Sequence, residues 1–345
     1  MTHRIKGVIA SFASAAVLAA TGASAVHSEP VASFYRGKTV TLYVGAGAGG
    51  GYGLYARLMA EHLGEHLPGK PTVVASFMSG SGGLKAANYV YNAAQRSGVA
   101  LGVLLSPVPV QQYVRPEAAK FDVNKFQWIG VVAPVVQSFT VMRSAPATTI
   151  EGMREKEIIA GATGVGSDTY VVPKLANYAL GTKIKIVKGY KGTAAIALAM
   201  ERGEVHAWAG PWTSKEARFP ELLNPEKAVQ LFQFGLIRQP GYEETPLLTD
   251  LIAVPEKKRV AEFLSGPTAL GRSLVAPPEV PSERVDALRA AFDAMVEDDA
   301  FLADAKKRKA DVSPTGGAET QKLVKRITDV SPNVVEEAKR ILLSN

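Results

Sequence analysis

Val44-Gly45-Ala46-Gly47-Ala48-Gly49-Gly50-Gly51-Tyr52-Gly53 places six glycines in ten residues. The residues before it, Thr39-Val40-Thr41-Leu42-Tyr43-Val44, alternate in polarity and carry β-branched or aromatic side chains, which reads as a strand. Those after it, Leu54, Leu58, Met59, Leu63 and Leu67, recur at helical spacing until Pro68-Gly69 stops the helix. A strand, a glycine turn and a helix gather free backbone N–H groups and the positive end of a helix dipole at one point. Such a point binds anions. The amides of Ala48, Gly49, Gly50 and Gly51 are the expected donors, with Tyr52 embedded beside them.

Outward from this unit the pattern continues. Thr72-Val73-Val74-Ala75 is a strand, Ser79-Gly80-Ser81-Gly82-Gly83 a second glycine loop, and a helix runs from Leu84 to about Ala94. Ala100-Leu101-Gly102-Val103-Leu104-Leu105 is nearly all apolar, as in a strand buried on both faces. From about residue 140 the pattern begins again. Ile158-Ile159-Ala160 leads into Gly161-Ala162-Thr163-Gly164-Val165-Gly166-Ser167-Asp168-Thr169 and a helix toward Leu180. Ser167 or Asp168 is the expected N-cap, and Pro173 is expected to delay or kink that helix. A strand at Ile184-Lys185-Ile186-Val187, a turn at Gly189-Tyr190-Lys191-Gly192 and a helix from Thr193 to Arg202 follow. Gly203-Glu204-Val205-His206-Ala207-Trp208 then enters a further strand.

Alternating strands and helices define an α/β class with parallel sheets and ligands at the carboxyl ends of the strands. Two similar units, each with a helix-capping loop, imply two lobes with a cleft between them. Connectors near 133–147 and 235–246, rich in Pro and Gly, are the expected crossings. The last segment, from Pro281 to Asn345, reads as charged amphipathic helix. Its apolar stripe is Ile327, Val330, Val334, Val335, Ala338, Ile341 and Leu342.

The start of the chain carries His3, Arg4 and Lys6, an apolar small-residue run from Val8 to Ala20, and Ala23-Ser24-Ala25 before Val26. That is the pattern of a secretory signal peptide over residues 1–25, with a run too short for the roughly 18–20 residues that span a bilayer. The expected mature protein is exported and soluble. Its formal charge of +7 loses Arg4 and Lys6 on cleavage. The densest basic cluster, Lys306-Lys307-Arg308-Lys309, reads as a solvated helix end rather than a nucleic-acid surface. The absence of cysteine from the sequence excludes disulfides, thiolate nucleophiles and Cys-ligated metals.

Gly45-Ala46-Gly47-Ala48-Gly49-Gly50 matches G-x-G-x-x-G in the proper strand–helix context. The ribose-binding acid that should end the second strand is missing, since Ala75, Ser76 and Phe77 stand there. His62-Leu63-Gly64-Glu65-His66 matches H-x-x-E-H, but Pro68 ends that helix and no third ligand is evident. Ser81 lies between glycines without a G-x-S-x-G, and Gly37-Lys38-Thr39 has Ala32 where a P-loop needs glycine. No metal and no cofactor is expected. Tyr52, Phe77, Tyr170, Tyr190, Trp208 and Trp212 fall at loops or strand ends; Tyr52 and Tyr190, each within a glycine turn, are the choices for the cleft.

In order along the chain, Tyr35-Arg36-Gly37-Lys38-Thr39-Val40-Thr41, the loop at 45–53, Ala56-Arg57-Leu58, Ser79-Gly80-Ser81-Gly82-Gly83, Gly161-Ala162-Thr163-Gly164-Val165-Gly166-Ser167, Tyr190-Lys191-Gly192 and Gly203-Glu204-Val205 resemble the substrate-binding receptors of tripartite tricarboxylate transporters, the Bug-type family. The resemblance implies a two-lobe periplasmic-binding-protein fold of type II. On this view residues 26–139 and 239–345 form lobe I and residues 140–238 lobe II. It implies capture of a small organic acid, a di- or tricarboxylate or an aromatic acid, for delivery to membrane permease subunits. The receptor is expected to be a monomer, with no nucleic-acid partner and no catalysis. The ligand-binding set is Ala48, Gly49, Gly50, Gly51, Tyr52, Ser81, Gly82, Thr163, Gly164, Gly166, Ser167, Asp168, Thr169, Tyr190 and His206. Gly53 stands where the family commonly has Asp, which implies a plain acid rather than an amino acid. Phe77-Met78-Ser79 gives a less polar wall and implies a bulky or partly apolar ligand body. The competing reading is an exported hydrolase or lyase in the same cleft, which would need His206 beside Asp168 or Ser167. A receptor that signals through a sensor partner is a third.

Overall fold

The computed structural model describes Met1 and residues 30–343; the signal peptide expected over 1–25, Met1 apart, and its expected cleavage site lie outside the described residues. The chain begins with α1 (Val31–Tyr35), β1 (Thr39–Val44), α2 (Gly51–His66), β2 (Thr72–Phe77), α3 (Leu84–Asn92), β3 (Ala100–Val103), α4 (Val108–Val114) and β4 (Gln127–Val131). In β1 the alternation foreseen from sequence puts Val40, Leu42 and Val44 into the core. It pairs in parallel with β2 on one side and β3 on the other. All four residues of β3 are buried, as its apolar run requires. Helix α2 covers one face of this sheet through Tyr55, Leu58 and Leu63. His62 and His66 bond separate acids, Asp304 at 3.2 Å and Asp298 at 3.7 Å, which fasten α2 to the C-terminal helices.

After 132–136 the chain enters a second sheet. It builds β5 (Gln137–Met142), α5 (Ile150–Glu155), β6 (Ile158–Ala162), α6 (Asp168–Leu180), β7 (Ile184–Lys188), α7 (Thr193–Glu201), β8 (Ala207–Pro211), α8 (Trp212–Arg218), β9 (Ala228–Phe234) and α9 (Pro255–Ser265). The strand order is β7-β6-β8-β5-β9. Helix α6 starts at Asp168 and continues through Pro173 to Leu180, where Gly181 at φ 73° ends it. The late or kinked start expected from Pro173 is not observed. Ser167 occupies the cap position but makes no capping bond with its side chain.

The remaining elements are β10 (Ser273–Ala276), α10 (Ser282–Glu297), α11 (Asp299–Lys307), β11 (Thr315–Gly316), α12 (Gly317–Thr328) and α13 (Pro332–Leu343). Strand β10 inserts antiparallel between β3 and β4, giving the first sheet the order β11-β4-β10-β3-β1-β2. The second crossing lies at 266–271, not at 235–246. Gln233 explains why: its backbone N–H bonds the Pro246 carbonyl at 2.7 Å and its side-chain amide bonds the Tyr242 and Thr245 carbonyls at 2.8 Å each, holding that loop on lobe II. Helices α9 and α13 also belong with lobe II, where Phe263, Leu264, Ala338, Ile341 and Leu342 share a core with Val171 and Leu175. The C-terminal return to lobe I is thus confined to about 272–328, and a third crossing precedes α13. An amphipathic stripe specifies that a helix is covered, not which core covers it. No described helix is long and apolar enough to cross a membrane.

Candidate functional site

The carboxyl ends of β1 and β3, the start of β10 and the N-termini of α2 and α6 converge where the lobes meet. In lobe I, Gly50 is extended and α2 opens at Gly51 with no capping side chain. The next residue, Tyr52, accepts a hydrogen bond at its hydroxyl from the Ser106 N–H at 2.8 Å. Over its ring lies the guanidinium of Arg272, 4.2 Å from the Tyr52 centroid and 4.9 Å from that of Tyr55. Such stacking is a favoured setting for a desolvated guanidinium.

Arg272 is only 1% exposed. Its backbone pins it to the first crossing, the N–H bonding the Ala133 carbonyl at 2.9 Å and the carbonyl accepting from Val132 N–H at 3.0 Å. One guanidinium nitrogen, Nη1, is buried with no hydrogen-bond partner. The other, Nη2, lies 2.9 Å from where a Cβ on Gly51 would sit, and Ser214 Oγ lies 3.1 Å from the same point. Only a glycine leaves this space open.

Lobe II contributes Ser214 from α8, Gln137 from β5 and Asp168 from the first turn of α6. The Asp168 carboxylate accepts from Gln137 Nε2 at 2.7 Å and from Ser106 Oγ at 3.1 Å, both on Oδ2. Burial pushes its carboxyl up from 3.8 to about 6, against the pull of those two donors and of the Arg272 charge. Desolvation also raises the Tyr52 phenol. Among the described residues Arg272 and Asp168 make no direct ion pair, so a buried cation and a partly buried carboxylate face one site from opposite lobes.

The lobes touch. Gly82 has φ +65°, and a Cβ on it would lie 2.7 Å from the Cα and C of Gly166. Gln111 Nε2 donates to the Gly166 carbonyl at 3.5 Å. Ser81 and Gly82 therefore form the contact with the second loop.

Not all residues expected at the site are free to hold a ligand. Ala48 is exposed, and its carbonyl accepts from Arg57 Nη1 at 2.9 Å. Gly49 and Gly50 border open space. Thr163, Ser167 and Thr169 satisfy one another, with hydroxyl contacts of 2.9 Å and 2.6 Å, and Ser167 Oγ also donates to the Gly164 carbonyl at 2.8 Å. That knot shapes the loop and leaves Asp168 as its ionisable group. Tyr190 starts at the right strand end, its N–H bonding the Ala162 carbonyl, but its ring packs with Ile196, Met200 and Trp208 under α7.

His206 is misplaced in the expected set. Its Nδ1 accepts from the Ile159 N–H at 3.0 Å, and its own N–H bonds the Ile159 carbonyl at 2.7 Å. Ile159 is near the start of β6, whereas Thr163 follows its end, so His206 sits at the far edge of the sheet. Trp212 is fully buried and stacks on Tyr242 at 3.8 Å.

Sequence reasoning missed Arg272, Ser106, Gln137 and Ser214. Arg272 had one visible signal: a lone cation directly ahead of the apolar run Leu274-Val275-Ala276. The buried Lys215 next to Ser214 faces away, donating to the Ser138 carbonyl at 2.9 Å and the Gly210 carbonyl at 3.1 Å beneath Trp208.

No family model and no curated protein matches this sequence. Solved structures do. The periplasmic binding protein BugD is 21% identical, with 89% of this chain and 98% of BugD covered at a TM-score of 0.69. An R. palustris protein solved with adipate is 22% identical over 87% of this chain and 97% of its own, with a TM-score of 0.68. MatC from Rhodopseudomonas palustris, solved with malate, is 17% identical over 88% and 99%, with a TM-score of 0.64. Two sheets, interlobe crossings and near-complete coverage of these chains lead to one conclusion: the protein has the two-lobe α/β fold of the Bug- and TctC-type periplasmic solute-binding proteins.

Proposed function

We propose that the protein is an exported solute-binding receptor that captures a small organic acid between its lobes and delivers it to membrane permease subunits. The observation that carries this reading is Arg272, a buried guanidinium with an unpartnered nitrogen, set beside the N-terminus of α2 at the lobe boundary. A buried charge without a partner is costly, and a carboxylate arriving there supplies the missing acceptor. The amide of Gly51 and the hydroxyl of Ser214 complete a set of donors for one carboxylate. Because Arg272 and Ser214 belong to different lobes, a ligand touching both favours the closed form. The receptors that share the fold, two of them solved with adipate and malate, support the same class of ligand.

An enzymatic reading lacks an imidazole at the site among the described residues. The three described histidines bond Asp304, Asp298 and Ile159, and none reaches Ser106. Chemistry on a serine would have to rest on Asp168 alone, without an imidazole to carry the proton.

Calorimetric titration of the purified protein with a panel of small acids tests the proposal. At least one is expected to bind with a Kd in the micromolar range or below, and to lose that binding in Arg272→Gln. A ligand at 100 times its Kd adds about 2.7 kcal/mol of stability, so thermal shifts should follow the same ranking. Binding unaffected by Arg272→Gln would place the carboxylate elsewhere.

A further inference from the structure

We infer that the ligand of this cleft is a small zwitterion, its carboxylate held by Arg272 and its ammonium by Asp168. The inference rests on the receptor reading above and narrows its ligand class.

Two observations carry it, and a third removes an argument against it. First, the two charges come from opposite lobes and do not neutralise each other directly, so the site holds a separated cation and anion. A dicarboxylate would satisfy Arg272 and bring a second negative charge toward Asp168. A zwitterion satisfies both. Second, Ser106 Oγ and Gln137 Nε2 both donate to Asp168 Oδ2. Two donors on one oxygen favour the ionised acceptor and orient it. They also leave Oδ1 without a hydrogen bond among the described residues, free to accept from an ammonium. Third, the missing acid in the first loop has a steric cause. A Cβ on Gly53 would lie 2.2 Å from the Ala48 oxygen and 2.7 Å from its carbon. No side chain fits at 53 while the loop turns this tightly, so its absence says nothing about the ligand. Asp168 supplies from lobe II the acid that the first loop cannot hold.

A ligand that spans this pair makes both charge-assisted contacts only when the lobes are together. Closure and charge selection are then one event.

The test is titration of the full-length mature protein with matched probes: 4-aminobutyrate and alanine against succinate, glutarate and benzoate. The expected result is binding of at least one amino acid at least tenfold tighter than any of the three plain acids. Asp168→Asn should then weaken the amino acids at least tenfold and narrow or reverse the preference. The wild-type ranking stands without the variant, should the substitution impair folding. Tighter binding of succinate, glutarate or benzoate overturns this inference and leaves the receptor reading intact. Binding of no probe at all overturns both.

Discussion

Asp168→Asn is expected to make the ligand-free protein more stable at pH 8 and to leave it nearly unchanged at about pH 3. The carboxyl titrates at about 6 in the folded protein against 3.8 when free, with burial as the main cause. A folded value above the unfolded one means that the native state holds this proton more tightly. At about pH 3 and below both states are protonated and almost nothing is lost. As pH rises from about 4 to 6, the unfolded chain releases its proton first, and native stability falls. Above 6 the loss is complete, and at 1.36 kcal/mol per pH unit it amounts to about 3 kcal/mol. Asparagine carries no charge to desolvate, and its amide oxygen can still accept from Ser106 and Gln137. The expected gain at pH 8 is therefore as much as about 3 kcal/mol, less whatever Arg272 loses with its counter-charge. Urea denaturation of both proteins at about pH 3, 6 and 8 measures it. The difference between the two is the quantity to follow, because groups such as Glu337, lowered to about 2 by Arg340, titrate alike in both. A variant less stable than the wild type at pH 8, or a difference independent of pH, would refute the reasoning. It would show that the field of Arg272 outweighs burial at this carboxylate.

Gly51→Ala places a methyl 2.9 Å from Arg272 Nη2 and 3.1 Å from Ser214 Oγ, so binding of the preferred acid should weaken at least tenfold while the circular dichroism spectrum is retained. Gly82→Ala adds a methyl 2.7 Å from Gly166 at a φ of +65°; strain of about 1–3 kcal/mol should favour the open form, visible as a larger radius of gyration in X-ray scattering. Gly53→Asp, which would restore the acid of related loops, should lower the melting temperature rather than change ligand preference. Lys215 is buried and its amine is held well below the ordinary lysine value by desolvation. The unfolded chain therefore binds the extra proton, and stability should climb as pH rises toward about 10. Lys215→Met should flatten that slope in a denaturation series.

The first unit was legible because three independent signals agree there: alternation in 39–44, glycines that no regular element tolerates, and helical spacing from Leu54. The same agreement located the loop at 161–169 and a second α/β unit, but not the bounds of the lobes. The site was less legible, for a physical reason. A local pattern reveals which amides a turn exposes, but not whether a hydroxyl is already spent on a neighbour, as in Thr163, Ser167 and Thr169. Arg272 offered only a lone cation ahead of an apolar run, because its burial depends on β10 inserting between β3 and β4, an antiparallel pairing of segments far apart in the chain. His206 misled for the opposite reason: a polar residue entering a strand can serve either end of a sheet, and only the register with Ile159 decides. The affiliation of α13 failed in the same way, since its stripe suits any apolar face.

That affiliation has a consequence for how the protein is made. The lobe II core is closed by Ala338, Ile341 and Leu342, which leave the ribosome after every other element of both lobes. Until then Val171, Leu175 and Phe263 lack part of their cover, and the lobe built from the middle of the chain is finished by its last dozen described residues. Vectorial synthesis thus cannot complete one lobe before starting the other. Neither lobe is one contiguous stretch of the chain, and the α13 stripe joins the lobe II core across all of lobe I's C-terminal elements.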